Sequence, residues 1–137
     1  MAGYSGTPLL KKLGIKEENR VLLRKAPPVL PKELRGYTKA RLNNRLDICM
    51  LFARSIAEFN AEFEAWQRSI NADGMIWVAW PKKASGLQTD LTEDLIRQTA
   101  LKTFFVDVKV CAIDETWSGL KLVVRKEHRK HFIPTID

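Results

Sequence analysis

Two adjacent lysines, Lys82 and Lys83, stand directly after an unbroken apolar run, Met75-Ile76-Trp77-Val78-Ala79-Trp80, that Pro81 closes; Ser85, Gly86 and Thr89 follow them. Two cations with hydroxyls and backbone amides suit a phosphate or a carboxylate. The apolar run, with Gly74 before it and Pro81 after it, has the pattern of a strand buried on both faces. In open α/β sheets ligands bind just beyond the carboxyl ends of such strands. Ser55, which opens the clearest helix of the chain, belongs to the same set. Asp114, Glu115 and Trp117 join it if their strand runs in the right direction. Trp117, read as part of a polar turn, either stacks on a ring or a partner or caps the end of the core. The candidate ligand- or partner-binding residues are therefore Ser55, Lys82, Lys83, Ser85, Thr89, Asp114, Glu115 and Trp117.

No residue is assigned a catalytic role. Nucleophilic catalysis needs a Ser or Cys beside an oriented His, and the two histidines, His128 and His131, both lie near the carboxyl end. Asp114 and Glu115 are adjacent acids in a turn, a setting that usually leaves both solvated. The segment Lys82-Lys83-Ala84-Ser85-Gly86 has no Gly-rich cradle ahead of its lysines, so it is not a Walker phosphate loop. Cys49 and Cys111 sit in apolar runs and read as core thiols; no zinc-ligand spacing exists.

A chain of 137 residues with 45% hydrophobic and 28% charged side chains suits one globular domain with a full core. The net charge of +7 is uneven: residues 1–45 carry 11 basic and 3 acidic side chains, whereas residues 46–120 carry 7 and 11. The basic N-terminal third is either a solvated face or a weak, nonspecific nucleic-acid surface. No apolar run approaches a membrane span, and the opening residues lack the basic and apolar regions of a signal peptide. The expected location is cytoplasmic.

These residues must be held by a small set of elements. A short helix is expected at Thr7–Ile15, with Thr7 as cap, Pro8 in the first turn and Gly14 at a left-handed stop. Strands are expected at Arg20–Arg24, Leu46–Phe52, Gly74–Pro81, Phe104–Ile113 and Leu120–Arg125, with a candidate edge strand at Tyr37–Leu42. Ser55 and Glu58 form a capping-box pair. The helix they open carries Ile56, Phe59, Phe63, Trp66 and Ile70 on one stripe and ends at Asn71–Gly74. A second helix opens at Thr92, with Leu91 stapling onto Ile96. The organisation expected is one α/β domain over residues 1–125 and a loose, basic C-terminal tail over 126–137. Its fold class is Rossmann-like and three-layered: a mostly parallel sheet of about five to six strands with an antiparallel C-terminal hairpin.

This order, over residues 9–125, resembles a shortened class I S-adenosylmethionine-dependent methyltransferase. Leu9-Leu10-Lys11-Lys12-Leu13-Gly14-Ile15 followed by Arg20-Val21-Leu22-Leu23 is similar to that family's approach to its first strand, and the final hairpin to its antiparallel member. The resemblance stops at the cofactor. Where the family has a Gly-rich loop, this chain has Arg24-Lys25-Ala26-Pro27-Pro28, without glycine or acid and with two prolines that remove backbone donors. Leu42-Asn43-Asn44-Arg45 supplies no acid for ribose hydroxyls.

The strings Met1-Ala2-Gly3-Tyr4-Ser5-Gly6-Thr7-Pro8-Leu9 and Trp77-Val78-Ala79-Trp80-Pro81-Lys82-Lys83-Ala84-Ser85-Gly86 are similar to those of a small bacterial protein family of unknown function, which implies no activity. The resulting expectation is a non-catalytic binding or interaction module without S-adenosylmethionine chemistry or any other cofactor. Its partner would be a protein or a small anion. The alternatives are a nucleic-acid-associated protein and a relic transferase.

Overall fold

Alternating apolar side chains on three neighbouring strands build the centre of one sheet. The computed structural model describes residues 8–37 and 45–134. Its strands are β1 (Val21–Arg24), β2 (Leu46–Phe52), β3 (Ile70–Pro81), β4 (Phe105–Ala112) and β5 (Trp117–Val124), arranged β1-β2-β3-β5-β4. The first three are mutually parallel, and β5 lies antiparallel between β3 and β4. The protein is thus a mixed α/β structure with a five-stranded sheet among the described residues.

Register turns sequence alternation into two cores. Leu22, Cys49, Ile76 and Leu122 lie in one row across the sheet and face one side. Leu23, Met50 and Trp77 form the next row and face the other. Helices α2 (Ile56–Trp66) and α3 (Glu93–Leu101) cover the first side with Phe59, Phe63, Ile96 and Ala100. Helix α1 (Leu9–Leu13) and a 3-10 turn at Lys32–Tyr37 cover the second with Leu9, Leu13 and Leu34. Trp77, Phe52 and Phe59 are among the fully buried side chains, and each burial of this size stabilises by roughly 2–3 kcal/mol.

Gly14 ends α1 with φ 75°, as its position after the last apolar residue predicts. Pro8 is the N-cap rather than the first helical residue, and Thr7 lies outside the described residues. The expected edge strand at Tyr37–Leu42 also lies outside them, apart from Tyr37 in the 3-10 turn.

The passage from α2 to β3 differs from the sequence expectation. Helix α2 stops at Trp66, whose carbonyl accepts from the Ser69 hydroxyl at 2.7 Å, and β3 begins at Ile70. Ile70 keeps the helical spacing because the same core buries it from a strand. Asn71–Gly74 therefore belongs to β3, at an irregularity between β2 and β3. A Cβ on Gly74 would stand 2.7 Å from the Asp47 carbonyl oxygen, so the glycine marks a close backbone approach inside a strand rather than a boundary.

Trp117 is the first residue of β5 and not part of a turn; it is 3% exposed. The segment read as a loose tail packs in its described part. Phe132 is buried against Phe104 and Phe105, and Arg129 Nε donates to the Val124 carbonyl at 3.1 Å.

Candidate functional site

The parallel strands β1, β2 and β3 end on one edge of the sheet, and the reversed strand β5 begins there. All eight sequence-selected residues follow from that topology. Ser55 stands after β2, Lys82, Lys83, Ser85 and Thr89 after β3, and Asp114, Glu115 and Trp117 in the hairpin that leads into β5. Lys82 N–H donates to the Thr116 carbonyl at 2.8 Å, which joins the two loops directly.

The side chains then divide by what they already bond. Asp114 Oδ1 accepts from the Thr116 and Trp117 amides at 2.8 and 2.7 Å, so this carboxylate builds its turn. Ser85 Oγ donates to the Lys82 carbonyl at 2.6 Å and accepts from Leu87 N–H at 3.2 Å, so it closes the loop around Gly86, which has φ 78°. Trp117 packs edge-on against Phe52 with centroids 5.3 Å apart. Glu115 is exposed.

Ser55, Lys83 and Thr89 line one cleft of about 620 Å³, together with Arg54, Leu87, Gln88 and Asp90. Ser55 Oγ accepts from Glu58 N–H at 3.1 Å and Thr89 Oγ1 accepts from Leu91 N–H at 3.0 Å. Each hydroxyl keeps its own proton for another acceptor. A neighbouring cleft of about 550 Å³ shares Lys83 and Thr89 and continues to Trp80, Pro81, Leu91, Thr92, Glu93 and Asp94. Lys82 lines neither cleft.

Arg54, Gln88 and Asp90 escaped the sequence reading. Arg54 sits one residue before the helix cap, and that adjacency was the signal that could have found it. Its guanidinium lies over the Trp117 ring at 5.3 Å and donates to the Lys25 carbonyl and to Glu58 Oε1, both at 3.4 Å. The Glu58 carboxylate accepts from Arg54 N–H at 2.9 Å, one residue earlier than the expected capping box requires. Asp90 Oδ1 accepts from Ile56 N–H at 2.8 Å. At the amino end of α2 the Asp90 carboxylate thus takes Ile56 N–H and the Ser55 hydroxyl takes Glu58 N–H, and the donors that line the cleft are side chains. At the amino end of α3 a guanidinium, Arg97, meets Glu93, Asp94 and Asp107. The hydrogen bonds it donates to Asp107 first, then to Glu93, raise its pKa and keep it charged.

The segment after β1 has an unusual backbone. Lys25 adopts φ 58°, the left-handed region, although it is not a glycine. Arg24 is drawn away from this edge: its Nε and Nη2 donate to the two Glu62 oxygens at 2.9 and 3.3 Å, and its guanidinium covers Trp66 at 4.8 Å. Glu62, expected off the buried stripe of α2, is buried because of that pair.

Among the described residues no three His, Cys, Asp or Glu side chains gather as a metal ion would require, and no helix is long and apolar enough to cross a membrane. No protein-family model matches the chain, and no curated protein matches it. Among solved structures the chain is similar to the B. subtilis m1A22 tRNA methyltransferase TrmK, at 11% identity and a TM-score of 0.44. The match covers 65% of this chain and 36% of TrmK, so the chain spans about a third of that protein's length.

Proposed function

We propose that this protein is a non-catalytic binding module that holds a small anion, of the phosphate or carboxylate class, in the cleft beyond the carboxyl ends of β2 and β3. The observation that carries the reading is the lining of that cleft. Arg54 and Lys83 supply two cations, and Ser55 and Thr89 supply two hydroxyls whose protons are uncommitted among the described residues. Charge-assisted donors of this kind favour an ionised acceptor.

The sheet reads as Rossmann-like and as a shortened form of the methyltransferase arrangement, because β5 alone is reversed and the anion cleft lies at the edge where such sheets bind ligands. The S-adenosylmethionine chemistry does not come with it in this reading. Lys25, Ala26, Pro27 and Pro28 follow β1 with side chains and proline rings where a cofactor needs bare backbone. Fold alone does not carry function.

The basic N-terminal third supports solubility better than nucleic-acid binding. Arg20 and Arg24 stand at opposite ends of β1, Arg24 is paired with Glu62, and Lys12 reaches the Ala112 carbonyl at 3.3 Å.

A thermal-unfolding screen tests the reading. Pyrophosphate is expected to raise Tm by mass action, and S-adenosylmethionine to leave it unchanged. A rise with S-adenosylmethionine, or none with pyrophosphate, would overturn it.

A further inference from the structure

Among the described residues the second face of the sheet is covered only in part. Helix α1 and the Lys32–Tyr37 turn bury residues of β1, β2 and β3, with Ile113 and Trp117, whereas β4 from Phe105 to Val110 and β5 from Leu120 to Val124 contribute nothing to that core. On this open face Val106 pairs with Val123 and Lys109 with Lys121, and the next pair, Cys111 with Gly119, borders the second core. Both valines and Lys121 are half-buried, and Lys109 is exposed.

Lys109 and Lys121 are directly opposite across two antiparallel strands, an arrangement in which like charges repel. Lys12 comes to the same place from α1, with its Nζ 3.3 Å from the Ala112 carbonyl. Among the described residues none of the three is in an ion pair. Desolvation first, and then Lys109, lower the pKa of Lys121. Lys12 and Lys109 both pull the Cys111 thiol down against the burial that raises it. The cluster therefore concentrates positive charge without an internal counter-charge.

It also borders a sheet edge. Among the described residues no strand pairs with the outer side of β4, along which Val108 and Val110 are 51% and 42% exposed. A bulge between Asp107 and Lys109 interrupts the ladder beside them.

We propose that the open face of the β4–β5 hairpin, where Lys12, Lys109 and Lys121 surround Cys111, docks an extended acidic segment of a partner protein along the outer edge of β4. An added strand of alternating acidic and apolar residues would gain main-chain hydrogen bonds from β4, set its acidic side chains beside the lysines on one face, and lay its apolar ones beside the exposed Val110 on the other. Among the described residues the pairs of this face, Val106 with Val123 and Lys109 with Lys121, offer no aromatic ring on which bases could stack, so it suits a carboxylate-bearing chain better than a single-stranded nucleic acid. This surface is independent of the Arg54–Lys83 cleft.

Fluorescence anisotropy with the full chain tests the proposal. The probes are a labelled octapeptide of alternating valine and glutamate, its valine–lysine counterpart, and a single-stranded RNA dodecamer. The glutamate peptide is expected to bind and to release at high salt. The charge-reversed variant Lys109→Glu, Lys121→Glu should bind it about tenfold or more weakly and acquire affinity for the lysine peptide. If that variant fails to fold, Lys109→Gln with Lys121→Gln decides by loss of the glutamate peptide alone. No binding by the wild type, unchanged binding by the folded variant, or RNA held more tightly than the peptide would overturn the proposal.

Discussion

The indole N–H of Trp77 donates to the Leu13 carbonyl at 2.9 Å, at the end of α1 and in the middle of the second core. One bond thus fixes the five-residue helix α1 to the central strand β3. The same ring explains Gly119. A Cβ there would lie 3.1 Å from Trp77 Cε3 and 3.2 Å from Ile113 Cδ1. Gly119→Ala is expected to destabilise by roughly 1–3 kcal/mol through overpacking. In a Trp77→Leu background the added cost of Gly119→Ala should shrink, a non-additivity that urea unfolding of the four-member cycle measures. Simple additivity would mean that the ring is not what Gly119 accommodates.

Lys25 pays for a left-handed backbone at the end of β1. Lys25→Gly should relieve that cost, and the gain of about 1 kcal/mol is offset in part by glycine's greater freedom when unfolded. The net expectation is a variant as stable as the wild type or slightly more so, read from its urea midpoint. A clear loss of stability would show that the lysine side chain holds the loop by contacts of its own.

Arg24 and Glu62 join β1 to α2 through two hydrogen bonds, with the glutamate side chain 10% exposed and the arginine 33%. Removing one partner leaves the other poorly solvated. Glu62→Ala is expected to cost about 1–3 kcal/mol, and the double variant with Arg24→Met to recover part of it. Equal costs for the single and double variants would contradict that account.

The two thiols differ in reach. Burial pushes Cys49 up to about 12, so it should resist thiol reagents until the protein unfolds, while Cys111 reacts slowly in the native state. Because the folded value lies above the ordinary one, the contribution of Cys49 to stability is complete below about pH 9. It declines toward pH 12 by about 1.4 kcal/mol per pH unit. Cys49→Ala should lower stability at neutral pH and flatten the alkaline decline. An unchanged decline would assign it to other groups.

The sequence made the strands legible where alternation or an apolar run had no competing signal, as in Leu46–Phe52 and Phe105–Ala112. It misled at Gly74, because a glycine that permits close approach to the Asp47 carbonyl looks the same, in sequence, as one that ends a helix. It placed the start of β5 too late because Asp114 and Glu115 made the segment look polar, while the Asp114 carboxylate turns the chain so that Trp117, three residues on, caps the end of the core, one of the two roles expected of it. At the cleft, Lys83, Ser55 and Thr89 were within reach of a strand-end argument. Arg54 was marked only by standing next to the Ser55 cap, and its contacts with Trp117 and the Lys25 carbonyl, both remote in sequence, were not legible.

The most direct test of the anion-binding cleft is amide chemical-shift mapping during a pyrophosphate titration of the wild type and of Lys83→Ala. Lys83 is exposed and outside every ion pair among the described residues, so its removal should leave stability nearly unchanged. The account predicts saturable shifts centred on residues 54–56 and 83–90 in the wild type, and binding weakened by about tenfold in the variant. Shifts centred elsewhere, no saturation, or equal affinity in the two proteins would contradict it.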